Sequence, residues 1–242
     1  MRYNTLFLLS VSTLTTGCFA SRLTQTAEPL GEGISEVSIS FNSTQITTIN
    51  GEDVGGFWPN LIPNAHYGIG ISDKMDFFGN LSLASWYGEV GVKYALSSNS
   101  DGALSLAPSV GLSPLGPLAS TRTTLPLLYT RRLSETSSVT VMAEATYRRR
   151  GDASSSSFGE DLSGTFVGNT LGVGGGIGFE VRGRSFYVRP ALTYTYYNAT
   201  LAGAEDDQAM GMGQVAVTIG RTGGKMEAQL DRIEQKLDNM DP

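Results

Sequence analysis

The sequence predicts an all-β fold: a closed antiparallel up-and-down transmembrane β-barrel of about ten strands, followed by a short C-terminal α-helix. Three observations carry this expectation. Apolar residues recur at every second position in a series of segments, several near the roughly 9–11 residues that a tilted strand needs to cross a bilayer. Aromatic residues stand at the ends of many of these segments (Trp86, Tyr129, Tyr147, Phe186, Tyr196), where a membrane barrel carries its interfacial girdles. The connections between segments are mostly long at one end and short at the other.

Composition narrows the classes first. With 30 glycines in 242 residues and 17% charged residues, the chain is too glycine-rich for a helical bundle and too weakly charged for a solvating disordered chain. No run of 18 apolar residues follows residue 17, so a membrane-crossing helix is excluded. A net charge of −6 argues against nucleic acid as a partner. One cysteine and one histidine exclude a disulfide framework, a cysteine-based zinc site and a multi-histidine metal site. No cofactor motif is present: Gly172–Gly178 sits in a period-two strand, not in the strand–turn–helix setting of a phosphate-binding loop.

Residues 1–17 have the layout of a secretory signal, with Arg2 before an apolar stretch from Leu6 to Leu14 and a small residue at the cut. The only cysteine, Cys18, falls at that point, in Leu14-Thr15-Thr16-Gly17-Cys18. This stretch resembles a bacterial lipobox, with Thr15 where Leu or Val is usual, and the resemblance implies that Cys18 is lipidated. An ordinary signal peptide cut elsewhere is the other reading. Residues 18–32 then read as a flexible tether.

The barrel is expected over 33–220. Val37, Ile39 and Phe41 share one face of the first strand, and Tyr67, Ile69 and Ile71 one face of the second. Phe77 and Leu81 follow, then Val90, Val92, Tyr94 and Leu96, then Leu104, Leu106, Val110 and Leu112. The later strands present Leu125, Leu127 and Tyr129; Val139, Val141 and Tyr147; Leu171, Val173, Ile177 and Phe179; Phe186, Val188, Leu192, Tyr194 and Tyr196; and Val215, Val217 and Ile219. The apolar face should meet lipid and the opposite face the lumen. Pro108, Pro126 and Pro190 lie inside proposed strands, where each removes a ladder donor, so bulges are expected there.

Connections supply a separate argument. Of the five on one side, those over 43–64, 113–120, 151–169 and 198–209 are long and the corner near Ser85 is not. Those at Ser72–Met75, Ser97–Ala103, Arg131–Ser138 and Arg182–Ser185 are short. Long external loops and short periplasmic turns are the pattern of outer-membrane barrels, and an even strand number puts both termini in the periplasm.

The stretch YGIGISDKMDFFGNLSLASWYGEVGVKYALSS resembles hairpins of small bacterial outer-membrane β-barrel proteins, the OmpA-like barrel superfamily. The resemblance extends over roughly 33–220 and implies residence in the outer membrane, contact with its lipid and lipopolysaccharide, and insertion by the outer-membrane assembly machinery. It carries no catalytic motif. His66 lacks the sequence context of a barrel hydrolase, so an enzyme is not expected.

The expected lumen face holds Glu89, Lys93, Glu144, Arg148, Glu180 and Arg189. Opposite charges in a narrow barrel form either a structural ion-pair network or a selectivity ring around a water path. Glycine, serine and alanine on the lumen faces near residues 105–111 and 172–178 leave space for a narrow pore. Arg148, Arg149 and Arg150 end one strand at the proposed outer surface, as lipopolysaccharide phosphate contacts or as solubilising charge. The acidic loop residues read as solvated charge.

In the tail, 221–242, Met226, Leu230, Ile233, Leu237 and Met240 make a heptad-spaced stripe. It predicts a helix that packs on the barrel's periplasmic mouth, frays as a tail, or joins copies of the chain as a short coiled coil. The function expected is a lipid-anchored outer-membrane barrel with a structural, binding or narrow-pore role. The alternative is a soluble, lipid-anchored barrel on the periplasmic side that holds a hydrophobic ligand.

Overall fold

A computed structural model describes residues 23–53, 62–82, 87–113, 120–150, 166–201 and 208–223. The strands are β1 (Ser35–Ile49), β2 (Glu52–Asp53), β3 (Ile62–Ser72), β4 (Met75–Ser82), β5 (Tyr87–Ser98), β6 (Gly102–Leu106), β7 (Ser109–Ser113), β8 (Ser120–Arg132), β9 (Ser137–Arg150), β10 (Phe166–Arg182), β11 (Phe186–Leu201) and β12 (Gln208–Gly223). Each pairs antiparallel with its neighbours, and β12 pairs with β1 from Ser35↔Gly223 to Ile49↔Met210, which closes the sheet. The two-residue β2 pairs only with the end of β1. β6 and β7 both lie between β5 and β8 in one register and form a single interrupted stave. The result is a closed antiparallel barrel of ten staves. The described residues contain no helix, and the predicted C-terminal helix lies outside them. β12 runs three residues past the expected barrel limit, to Gly223.

Proline acts differently from expectation. The ladder lapses at Ala107–Pro108, where Pro108 lacks the donor that would face β5 and Pro126 lacks the one that would face Ala107. Val92 N–H still donates to the Pro108 carbonyl (3.1 Å), and Ala107 N–H to that of Pro126 (3.0 Å). Pro190 leaves a similar lapse opposite Phe179–Glu180. In all three places the register on either side is unchanged, so these are gaps without an inserted residue. Shifts of register lie elsewhere, at Ile46/Thr48, Gly70/Ser72, Ala95/Ser97 and Val167/Leu171.

The two faces of the sheet are inverted relative to a soluble protein. Outward residues are large and apolar, with Leu171 64% exposed and Leu192 55% exposed, while Ser40, Thr130, Thr140, Thr218 and Arg189 point inward and are fully buried. Tyr129 and Phe186 stand outward near the short-turn end, Tyr147 and Tyr196 near the other. Ten residues separate Phe186 from Tyr196. At roughly 3.3 Å per residue and a tilt of roughly 40° they span about 25 Å, the height of a barrel's apolar band.

The tether expectation needs correction. Residues 23–27 lie inside the lumen: Leu23 and Ala27 are fully buried, and Thr24, Gln25 and Thr26 nearly so. The physical reason is an interior that offers donors and small apolar seats to a short segment with unpaired backbone. Leu23 and Ala27 cluster with Phe78, Ala103, Ala107, Leu128, Met142 and Ala191.

Candidate functional site: the occupied lumen

Alternation decides which charges meet. Outward Phe77 forces Asp76 and Phe78 inward, and outward Leu125 forces Thr124 inward and, by the same parity, Arg122. Strand register then sets partners. Asp76 is directly opposite Lys93, and their ion pair is 2.9 Å long at nearly full burial.

Glu89 and Arg122 lie on staves separated by β7, both level with Gly111. With no side chain at Gly111, Arg122 Nη2 reaches Glu89 Oε2 at 2.7 Å, across the intervening strand. Glu89 also accepts from Tyr87 Oη (3.1 Å), Thr124 Oγ1 (3.3 Å) and Ser109 Oγ. The Arg122 guanidinium lies 4.5 Å over the Tyr87 ring. Every lone-pair direction of that carboxylate is thus engaged, as a buried charge requires.

A second cluster is nearer the short turns. Glu180 pairs with Arg189 on one oxygen and with Arg182 (2.9 Å) on the other. Arg189 lies 4.7 Å over the Tyr187 ring, and Tyr187 Oη donates to Glu36. His66 Nε2 is 3.9 Å from Glu36, and its Nδ1 is 2.7 Å from Asn80 Oδ1. Beside the Glu89–Arg122 pair, Glu144 lines the same small cavity and accepts from Thr195 Oγ1 (3.2 Å), and Arg148, opposite Arg122 on β9, donates to Ser120 Oγ through Nε (3.3 Å) and Nη2 (3.1 Å).

All six expected lumen charges point inward and are buried. Glu180 meets Arg189 directly; Glu89 and Lys93 pair instead with Arg122 and Asp76. Glu36, His66, Asp76, Arg122 and Tyr187 are inward members that sequence reasoning passed over, though the parity of each strand marks them. Arg148 cannot serve on the outer surface as well: its side chain is in the lumen, while Arg149 points outward. The side chain of Arg150, Cys18, the signal residues 1–17 and the Met226–Met240 stripe lie outside the described residues.

The glycine-lined space expected near residues 105–111 and 172–178 is filled by aromatic rings at Gly111 and Gly172, by threonine side chains at Gly174 and Gly176, and by Leu23 at Gly178. A Cβ at Gly111 would fall on the Tyr87 hydroxyl, and one at Gly172 would stand 2.6 Å from the Tyr197 ring. Gly111→Val is therefore expected to displace Tyr87 and separate Glu89 from Arg122, at a cost of about 1–3 kcal/mol. Gly88→Ala, whose added methyl meets nothing within 4 Å, serves as the control. Urea titration of folded protein in detergent micelles or lipid vesicles measures the difference.

The N-terminal segment completes the filling. Lys93 Nζ donates to the carbonyls of Thr26 (3.2 Å) and Glu28 (2.6 Å), Ser105 Oγ to that of Ala27, and Arg189 Nη1 to that of Thr24. The Ala27 N–H donates to Thr130 Oγ1 (2.8 Å), and the Leu30 N–H is shared by the two Asp76 oxygens at 3.1 Å each. Glu28 and Arg132 pair at 2.6 Å at the rim. Between Gln25 and the Glu89–Arg122 pair a cavity of about 20 Å³ is left, room for a single water. Below the segment, a cup of about 570 Å³ opens among the short turns, with Glu28, Arg132, Glu180 and Arg182 on its wall. Among the described residues no group of three or more His, Cys, Asp and Glu is arranged to hold a metal ion.

An apolar outer face with aromatic ends, a closed backbone ladder and a charged, hydrogen-bonded interior define a membrane-spanning β-barrel, because only a closed sheet leaves no unpaired edge in lipid. No family model matches the sequence, and no curated protein matches it. Among solved structures, the chain is similar to the attachment invasion locus protein Ail of Yersinia pestis, at 12% identity and a TM-score of 0.33, over 79% of this chain and 99% of that one. It is also similar to the outer membrane protein OprG of Pseudomonas aeruginosa (12%, 0.36, 83% and 100%). A third is an outer membrane channel from Pseudomonas putida F1 (11%, 0.45, 81% and 98%).

Proposed function

We propose that the chain is a lipid-anchored barrel of the bacterial outer membrane, closed at rest by its own N-terminal segment, and that its resting role is structural or ligand-binding. The observation that supports this most directly is the seat of Leu23–Ala27 within a polar lumen whose outer wall is apolar. A soluble barrel carrying a hydrophobic ligand would need the opposite arrangement, an apolar interior with free volume.

The reading includes lipidation at Cys18, short turns and both termini in the periplasm, and insertion by the outer-membrane assembly machinery. Arg149 and Arg150 would meet lipopolysaccharide phosphates, and the stripe from Met226 to Met240 would join copies of the chain. No cofactor and no enzymatic activity are part of it. His66, the only histidine in the sequence, sits between Asn80 and Glu36.

Two measurements test the reading. Protein with Cys18→Ser should still require detergent for extraction and should migrate differently before and after heating. Reconstituted in planar lipid, the wild type should give no resolved current steps. Release of Cys18→Ser into buffer as a stable monomer would contradict the membrane assignment, and steady steps from the wild type would contradict the resting closure.

A further inference from the structure

We infer that residues 23–30 are a removable plug and that the barrel without them is a narrow ion-conducting pore. The inference rests on the reading of the chain as a membrane barrel.

The wall is shaped for this segment. A Cβ at Gly70 would collide with the Gly31 carbonyl, one at Gly178 would stand 2.8 Å from Leu23 Cδ2, and one at Gly68 would stand 3.3 Å from Leu30 Cδ1. These inward glycines trace the path of the segment from mid-lumen to the rim.

The barrel's charges do not depend on it. Lys93 keeps Asp76, Arg189 keeps Glu180 and the Tyr187 ring, and Arg132 keeps the Ser100 carbonyl at 3.3 Å. Withdrawal of the segment therefore strands no buried cation, which is the event that makes loss of an ion-pair partner costly. What is given up is mainly hydrogen bonds to backbone carbonyls, and water that enters replaces them.

The attachment is a hinge. Residues 23–30 add no strand to the sheet. The segment is joined at its base through Gly33 N–H to the Gly70 carbonyl (3.0 Å) and Gly70 N–H to the Ile34 carbonyl (2.8 Å). Gly31 and Gly33 hold φ of 87° and 75°, a region open to glycine at little cost, so the chain can turn at the rim.

The vacated path is hydratable. Its walls carry the Asp76–Lys93 and Glu180–Arg189 pairs and the hydroxyls of Ser105, Thr130 and Thr140. It leads up to the small cavity bounded by Glu89, Arg122 and Glu144, which becomes the constriction. Removing the arginine there leaves two carboxylates to face the passage, and a ring of that sign selects cations.

The test uses the full chain and a variant that lacks residues 23–30 but keeps everything before them and the Gly31–Gly33 hinge. Both are checked for the unheated mobility shift and then reconstituted in planar lipid. The deletion should assemble and give resolved current steps where the wild type has none. Adding Arg122→Ala to the deletion should enlarge the steps and shift the reversal potential toward the cation. In the full chain, moderate urea that preserves the mobility shift should bring on the same steps reversibly. A disulfide between Ala27→Cys and Ser105→Cys should suppress them until it is reduced. An assembled deletion that stays silent would overturn the pore, and a deletion that fails to assemble would overturn the independence of barrel and segment. Steps in urea that ignore the disulfide would overturn the gating. Loss of the mobility shift in the wild type itself would instead count against the membrane barrel.

Discussion

Leu192→Arg is expected to stop the barrel from assembling in a bilayer, while Leu192→Ala is expected to be nearly silent. Leu192 stands half-exposed on the outer face of β11, level with Ile177 of β10 and Val215 of β12, and Ile177 is level with Val141 of β9. These four side chains form a belt across consecutive staves, about midway between Phe186 and Tyr196. An arginine at that depth costs roughly 2–4 kcal/mol on the lipid face of a barrel. The truncation behaves differently because lipid fills the volume that a missing isobutyl group leaves, so no cavity forms. In a protein core the same truncation would cost about 2–5 kcal/mol. The heated and unheated mobilities of the membrane fraction report both outcomes. A large loss from Leu192→Ala would mean that Leu192 packs against protein.

Arg189→Met is expected to cost about 3–5 kcal/mol, because Glu180 would lose its Arg189 hydrogen bonds while still held in the lumen. Arg189 is fully buried, donates twice to Glu180 and once to the Thr24 carbonyl, and covers the Tyr187 ring. Glu180→Gln alone should cost a comparable amount, since it leaves the fully buried Arg189 without its carboxylate, while Arg182 lies near the rim and can turn to water. The double variant should fall well short of the sum of the single ones, and the shortfall measures the coupling of the pair. Urea titration of the four proteins in lipid vesicles gives the cycle. Strict additivity would show that the two groups do not interact.

Much of this architecture is legible in the sequence because period two has only two phases. Once Val37, Tyr67, Phe77, Leu125 and Val217 are set outward, the facing of Glu36, His66, Asp76, Arg122 and Thr218 follows, and the staves and their connections follow from the turns. Two features are not legible. The first is reach between strands that are not neighbours: Glu89 meets Arg122 only because Gly111 lies between them, a consequence of register that hydrophobic pattern does not encode. The second is the N-terminal segment. Residues 23–32 have no periodicity and few apolar side chains, so nothing local distinguishes a tether from a plug. Their seat is set by Gly68, Gly70 and Gly178 and by donors scattered over several staves. Gly111, Gly172 and Gly178 read in isolation as empty space, because a sequence shows the missing side chain and not the side chain that fills its place.

The inverted partition of the sheet is tested most directly by a nitroxide scan along β11 in lipid vesicles, with single cysteines from Ala191 to Tyr196 and relaxation by oxygen compared with a water-soluble nickel complex. Oxygen, which concentrates in lipid, should relax labels at Leu192, Tyr194 and Tyr196 strongly, and labels at Ala191, Thr193 and Thr195 weakly. The pattern should thus alternate with period two. Equal oxygen access at successive positions, or strong nickel access at Leu192, would contradict a barrel that meets lipid with its apolar face.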